Sequence, residues 1–232
     1  MIRTVLTRPL LVSLLLAASG LCFSATFPPS TGSPLSEREA RQIPGVREGN
    51  RIYSGDVIYQ VSDLQIFGFR RNLWPNGLLI YAFDPAVDPA RQQAFIQACQ
   101  AWTASTPLRC QPRMAEPDYV LVRSHNGEAC GGQANVSCSF VGKIGGAQDL
   151  FVYSTHWNIQ SVIQHEIGHA IGMIHEQSRP DRDDFVFVKY GNMVSGASRQ
   201  FDIAQDVNTY TEYDLESIMH YSNCSFSRHA SC

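Results

Sequence analysis

Three histidines and a glutamate in the run His165-Glu166-Ile167-Gly168-His169-Ala170-Ile171-Gly172-Met173-Ile174-His175 have the types and the spacing to hold a metal ion and to use it. Residues four apart on an α-helix lie one above the other, so a helix through His165 and His169 turns both imidazoles to one side. His175 comes six residues later, roughly 240° round the axis, and cannot join them from the same helix. Gly172 supplies the exit, because a left-handed residue there ends the helix and swings the chain back toward the ion. Three imidazoles leave one coordination position for water, as in catalytic zinc sites; structural sites usually fill it with Cys or His. Such an ion lowers the pKa of a bound water from above 15 to about 7 and polarises a carbonyl. Glu166 stands beside the first ligand, where it can take the water's proton and pass it to a leaving amine. Hydrolysis of a peptide bond is the reaction that fits. A chance match of these five residue types at fixed positions is on the order of one in ten million starting points, which separates the run from an ordinary surface His-x-x-x-His pair.

A helix has to carry the first two histidines, and the sequence predicts that it starts near Asn158 as N-cap. Leu78 to Phe83 reads as a strand ended by Asp84-Pro85. Pro89 to Ser105 reads as an amphipathic helix with Phe95, Cys99 and Trp102 on its core face. Three short strands follow in Tyr119 to Arg123, Ser139 to Lys143 and Leu150 to Tyr153. Strands and two helices interspersed over this span predict an α+β or α/β layered domain.

The 232 residues are 44% hydrophobic and 17% charged, ordinary for a globular chain, and the net charge of −3 speaks against a nucleic-acid partner. Arg3 and Arg8 precede the apolar run Pro9 to Ala18, with small residues through Ala25, so residues 1–25 read as a secretory signal peptide. That run is too short for a comfortable membrane span, and no stable membrane anchor is expected. Secretion gives the cysteines an oxidising setting. Beyond Cys22 there are six, of which Cys130 with Cys138, then Cys224 with Cys232, are the local pairs; Cys99 and Cys110 are not paired by spacing. Residues 26–70 look loosely structured and separate: Phe27 to Pro34 is a Pro/Ser/Gly linker, and Glu37 to Glu48 is charged with little apolar periodicity. This is the composition of a pro-segment, with its boundary within 64–71 and the catalytic domain in 71–232. Asp56, in Tyr53-Ser54-Gly55-Asp56, is a candidate plug for the metal, although a simple turn accounts for the same residues.

The run extends through Glu176-Gln177-Ser178-Arg179-Pro180-Asp181-Arg182-Asp183 and resembles the astacin signature HExxHxxGxxHExxRxDRD of the metzincin clan at every fixed position. Ser217-Ile218-Met219-His220-Tyr221 is similar to the family's Met-turn. The resemblance implies a zinc metalloendopeptidase made as a zymogen, acting on protein or peptide substrates and released by an activating protease. It implies a twisted, mostly parallel sheet with two long helices over an irregular lower subdomain. His165, His169 and His175 would hold one Zn2+, Glu166 and Tyr221 would be catalytic, and Tyr221 would also be an auxiliary ligand that swings to the oxyanion. Met219 would be the floor of the site. Asp56 would hold the metal in the zymogen only, since Tyr53 to Asp56 resembles the family's FxGD motif with Tyr for Phe. Glu176 would receive the new N-terminus, and Gly145 to Tyr153 would be the edge strand on which substrate lies.

Measured against that family, the chain stops at Cys232, 11 residues past Tyr221, where family domains run on for several tens of residues. The catalytic domain is therefore expected to be incomplete at its C-terminus. Cys110 matches half of a long-range family disulfide, and Trp157 stands where the family's other bridge has a cysteine. Arg70-Arg71 is one candidate maturation site and Leu64 to Ile66 is the other. Two rival readings are an inactive zinc-binding protein and a thermolysin-like enzyme with Glu212 or Glu216 as third ligand.

Overall fold

The computed structural model describes residues 2–4, 46–48, 51–60, 73–204, 207 and 209–229. Within them, ten strands follow one another: β1 (Ile2–Thr4), β2 (Val46–Glu48), β3 (Arg51–Ser54), β4 (Val57–Gln60), β5 (Leu78–Phe83), β6 (Arg109–Pro112), β7 (Tyr119–His125), β8 (Cys138–Phe140), β9 (Ala147–Tyr153) and β10 (Val186–Val188). Eight of them form one sheet in the order β2-β3-β4-β8-β9-β7-β5-β6. The middle is parallel, with β5 beside β6 and β7, and β7 beside β9 along its length. β8 pairs antiparallel with β9.

Two helices, α1 (Pro89–Ser105) and α2 (Gln160–Ala170), pack on one face of this sheet. α1 covers the expected span. Asp88 caps it, its carboxylate accepting from Arg91 N at 3.0 Å, which satisfies one of the free N–H groups of a helix start. Phe95, Ala98 and Cys99 point from α1 into a core shared with Leu79, Val120, Val122, Leu150, Val152, Ile163 and Ile167. Side chains alternate across a strand, so Leu150 and Val152 face that core while Asp149 and Phe151 face away from it. Trp102 Nε1 donates to Gln164 O at 2.9 Å, and Trp74 Nε1 donates to Ala170 O at 2.8 Å. Two indoles thus fix the helix that carries the histidines, one of them to the neighbouring helix.

Several expectations change in three dimensions. The motif helix begins at Gln160, not at Asn158: His156–Asn158 is a 3-10 turn, and Ile159 takes the N-cap position without a side-chain cap. Residues 46–48 and 51–60 are not loose. β3 and β4 form a hairpin across the two-residue turn Gly55-Asp56, with Gly55 at φ +61 as a turn of this hand requires. β4 then joins β8 in parallel, Val57 beside Ser139 and Ile58 beside Phe140. The drive is apolar burial: Tyr53 and Ile58 cover Phe140 and the Cys130–Cys138 bridge in a second cluster. β9 is not an edge strand, because β8 flanks it at Leu150 and Phe151. Cys130 pairs with Cys138 as expected, but Cys110 pairs with Cys99 rather than with a distant partner. β6 runs back beside α1, which brings these two cysteines to a Cα separation of 6.1 Å. Cys224 is also disulfide-bonded, while Cys232 lies outside the described residues. Ile2–Thr4 pairs antiparallel with β10, so three residues of the expected leader do meet the fold. The rest of 1–25, the 27–34 linker and both candidate maturation sites lie outside the described residues.

Below the helices the described residues from Glu176 on form short 3-10 turns joined by irregular chain, with β10 as their one strand. A small cluster of Val188, Met193, Ala197 and Phe201, with Tyr221 and Phe226 against it, holds this region together. It is the irregular lower subdomain that the resemblance implies.

Candidate metal centre

α2 ends at Ala170 in a Schellman arrangement that the sequence foreshadows. Gly172 N donates to His169 O at 2.8 Å and Met173 N to Gly168 O at 2.9 Å. Gly172 has φ +111, a value that residues with a Cβ rarely adopt. The reversal returns His175 to the two helical histidines. The imidazole rings stand close: His165–His169 and His169–His175 centroids are 4.7 Å apart and nearly perpendicular, and His165–His175 are 5.3 Å apart.

Both helical histidines are oriented by backbone carbonyls. His165 Nδ1 donates to Ile218 O at 2.7 Å and His169 Nδ1 to Met173 O at 2.9 Å. Each Nδ1 therefore keeps its proton, and each Nε2 presents a lone pair to the centre, as a metal-binding imidazole must. Nε2 of both residues is buried without a hydrogen-bond partner. One atom each from Asp56, His165, His169 and His175 lies within 4.8 Å of the others. Unpaired buried lone pairs converging in this way fit a divalent ion with nitrogen ligands, and zinc above all.

Asp56 enters from the tip of the β3–β4 hairpin. Its Oδ2 is 3.2 Å from both His165 Nε2 and His175 Nε2. The contact to His165 is as close but lacks the direction of a hydrogen bond, which leaves that Nε2 without a donor or acceptor partner. Burial opposes ionisation of Asp56, yet the charge of His175 and the hydrogen bond from its Nε2 outweigh it and hold its pKa well below the usual carboxylate range. Burial likewise pulls His165 down, but the Asp56 carboxylate outweighs it and raises the pKa. Burial, then the charges of His165 and His175, push His169 well below the ordinary imidazole value, so it is neutral.

Glu166 is 2% exposed, and its Oε2 has no partner. Burial, then the negative charge of Asp56, raises its pKa well above that of a free glutamate. Such a carboxyl holds its proton to a higher pH than a free glutamate does. Met219 is fully buried beneath the helix, where its Sδ lies 2.5 Å from the position a Cβ on Gly168 would take. The Tyr221 ring lies 4.4 Å from His175, with its hydroxyl 3.5 Å from Asp56 Oδ1 and from Gln200 Oε1.

Glu212 and Glu216 are not in the cluster; among the described residues the third histidine is His175. Glu176 Oε1 accepts from Arg179 Nη1 at 2.8 Å and from Asp214 N at 3.0 Å. Sequence reasoning missed two supports. Gln177, fully buried, accepts from Tyr221 N at 2.9 Å. Gln200 reaches the β3–β4 turn, its Nε2 donating to Ser54 Oγ at 3.3 Å. Gln177 could have been suspected as the polar residue next to Glu176, whereas nothing in the local pattern around Gln200 singles it out.

The model of the peptidase family described as Astacin matches residues 68–232. This chain belongs to the astacin family. It is 32% identical over 177 residues to zinc metalloproteinase nas-12 of Caenorhabditis elegans, covering 75% of this chain and 44% of that protein. It is 30% identical over 187 residues to astacin-like metalloprotease toxin 1 of Loxosceles intermedia, covering 78% of this chain and 67% of the toxin. The chain thus spans less than half of the first relative and about two thirds of the second. Among solved structures, high choriolytic enzyme 1, a hatching enzyme zinc-protease from Oryzias latipes, superposes with a TM-score of 0.60 at 28% identity over 68% of this chain and 76% of that one. Zinc is the metal of this family, in agreement with the donor set found at the centre.

Proposed function

We propose that the chain is the precursor of a secreted zinc endopeptidase that hydrolyses peptide bonds in protein or peptide substrates. His165, His169 and His175 would hold the zinc, with Tyr221 as an auxiliary ligand. When bound, zinc supplies Lewis-acid polarisation of the scissile carbonyl and makes water acidic at neutral pH. Glu166 acts as the general base, taking the proton of the attacking water and delivering it to the leaving amine. Tyr221 donates its phenol proton to the oxyanion that develops on the carbonyl. Residues 1–25 direct export. Residues 26–70 form a pro-segment that an activating protease removes within 64–71, which takes Asp56 away and lets the new N-terminus approach Glu176. Departure of Asp56 also removes one of the two causes that raise the Glu166 pKa.

The observation that carries this reading is the approach of Asp56 Oδ2 to two of the three candidate ligands at 3.2 Å. A carboxylate there competes for the position that water needs, which suits a latent form. No helix among the described residues is long and apolar enough to cross a membrane.

Glu166→Ala in the zinc-loaded, processed protein tests the chemistry. Metal analysis should find zinc unchanged, while casein cleavage drops on the order of 10²–10⁴-fold, the usual contribution of a general base. Full activity in that variant refutes the role of Glu166. A wild-type protein that holds zinc and cleaves nothing supports the inactive zinc-binding reading instead.

A further inference from the structure

We propose that Phe140 and Asp149 form a subsite for a basic side chain of the substrate, a place that Arg51 fills in this structure. The Arg51 guanidinium lies 5.2 Å from the centroid of the Phe140 ring, and its Nη1 donates to Asp149 Oδ2 at 2.8 Å. A planar cation between an aromatic face and a carboxylate satisfies both of its preferences at once. The pair bridges distant parts of the chain, 98 residues apart in sequence. It is sheltered, with side-chain exposures of 31% for Arg51 and 14% for Asp149.

Asp149 has one other cation near it. Arg123 Nε forms an ion pair with Oδ1 at 3.0 Å, but its N–H is not aimed at that oxygen and makes no hydrogen bond. Arg51 is therefore the well-directed partner of this carboxylate. Its removal with the rest of β3 and β4 would uncover Phe140, which is fully buried beneath the hairpin, and would leave Oδ2 without its donor. Asp149 then keeps only its poorly directed ion pair with Arg123, and a sheltered carboxylate short of a directed donor is costly. An arriving Arg or Lys side chain restores the contact, whereas an acidic one meets repulsion. β8, which carries Phe140, is the strand that β4 pairs with now, so an extended peptide taking the place of β4 runs past this point. The receptor stands on geometry alone; its use by substrate rests on the peptidase reading above.

Full-length, zinc-loaded protein with Arg51→Ala vacates the subsite and leaves Asp56 in place. Calorimetric titration with N-acetyl-arginine amide and with its neutral isostere N-acetyl-citrulline amide should find the arginine ligand bound at least about tenfold more tightly, as a charge-assisted contact predicts. Adding Asp149→Asn, which keeps the side-chain shape, should close that gap. Equal binding of the two ligands, or a preference untouched by Asp149→Asn, overturns the receptor. Processed wild-type protein given a peptide library should yield products enriched in Arg or Lys on one side of the cut, and Asp149→Asn should flatten that enrichment. Cleavage without basic enrichment overturns the subsite. No cleavage by zinc-loaded protein refutes the peptidase reading, while the titration still decides whether the receptor exists.

Discussion

Gly168 lies between Glu166 and His169 on α2, and its missing side chain is what lets Met219 come up under the site. A Cβ at Gly168 would sit 2.5 Å from Met219 Sδ and 3.4 Å from Trp102 Cζ2. Gly168→Ala should therefore destabilise the fold by about 1–3 kcal/mol, the range for overpacking, although alanine is the better helix former. Urea unfolding would measure this, and Met219→Ala in the same chain should recover part of the loss; an unchanged midpoint in Gly168→Ala would mean that the floor yields freely. Residues around Tyr221 follow a similar logic. Its backbone N–H is held by Gln177, and its carbonyl accepts from His220 Nδ1 at 2.7 Å. Both backbone groups of Tyr221 are thus fixed, and its ring packs against His175, Phe201 and Phe226. Tyr213 donates to His220 Nε2 at 2.7 Å and so holds the ring that holds the carbonyl.

The Cys99–Cys110 bridge ties α1 to β6 and closes a loop with a sequence separation of 11. In the chain-entropy account a loop of this size contributes about 3 kcal/mol. The double variant Cys99→Ala, Cys110→Ala should lower the unfolding free energy by roughly that amount, and amide exchange should rise first at Arg109 to Gln111 in β6, the outermost strand of the sheet. A uniform rise over the whole sheet would mean that the bridge supports the core rather than its edge. The β3–β4 hairpin is the other element with a decisive role. Tyr53 and Ile58 anchor it on Phe140, and that anchorage puts the Gly55-Asp56 turn at the metal centre. Its alternation of β-branched and aromatic residues about a Gly-Asp turn is a hairpin signature, although the charged stretch before it hides the signal.

Across the whole molecule, the Asp56 contact joins an N-terminal hairpin to ligands that lie more than a hundred residues later in the chain. Arg179 and Arg182 brace the lower half. Arg179 reaches Glu176, Asp181 and the carbonyls of Thr211 and Glu212, and Arg182 reaches the carbonyls of Gln177 and Phe201. These two arginines fix the segment after His175 to the chain at Phe201, Thr211 and Glu212. Asp56→Ala in the full-length protein should speed zinc loss to a chelator by ~10- to 100-fold, as loss of a contact between charged groups predicts. Exchange at the wild-type rate would mean that the hairpin shields the metal by its bulk and not through its carboxylate.

The sequence by itself singled out the three histidines, Glu166 and the helix stop, because all of these are local. His165 and His169 share a face by helical period, and Gly172 ends the helix by its φ. Both elements in Leu78–Phe83 and Pro89–Ser105 were legible to the residue for the same reason, since their patterns and caps lie within their own spans. Tertiary structure alone decided the rest. That Cys110 meets Cys99, that β9 is flanked by β8, that β4 extends the sheet and that Arg51 reaches Asp149 all depend on which strands become neighbours. Neighbourhood is set by the burial of side chains drawn from the whole chain, and no short window of sequence contains that sum.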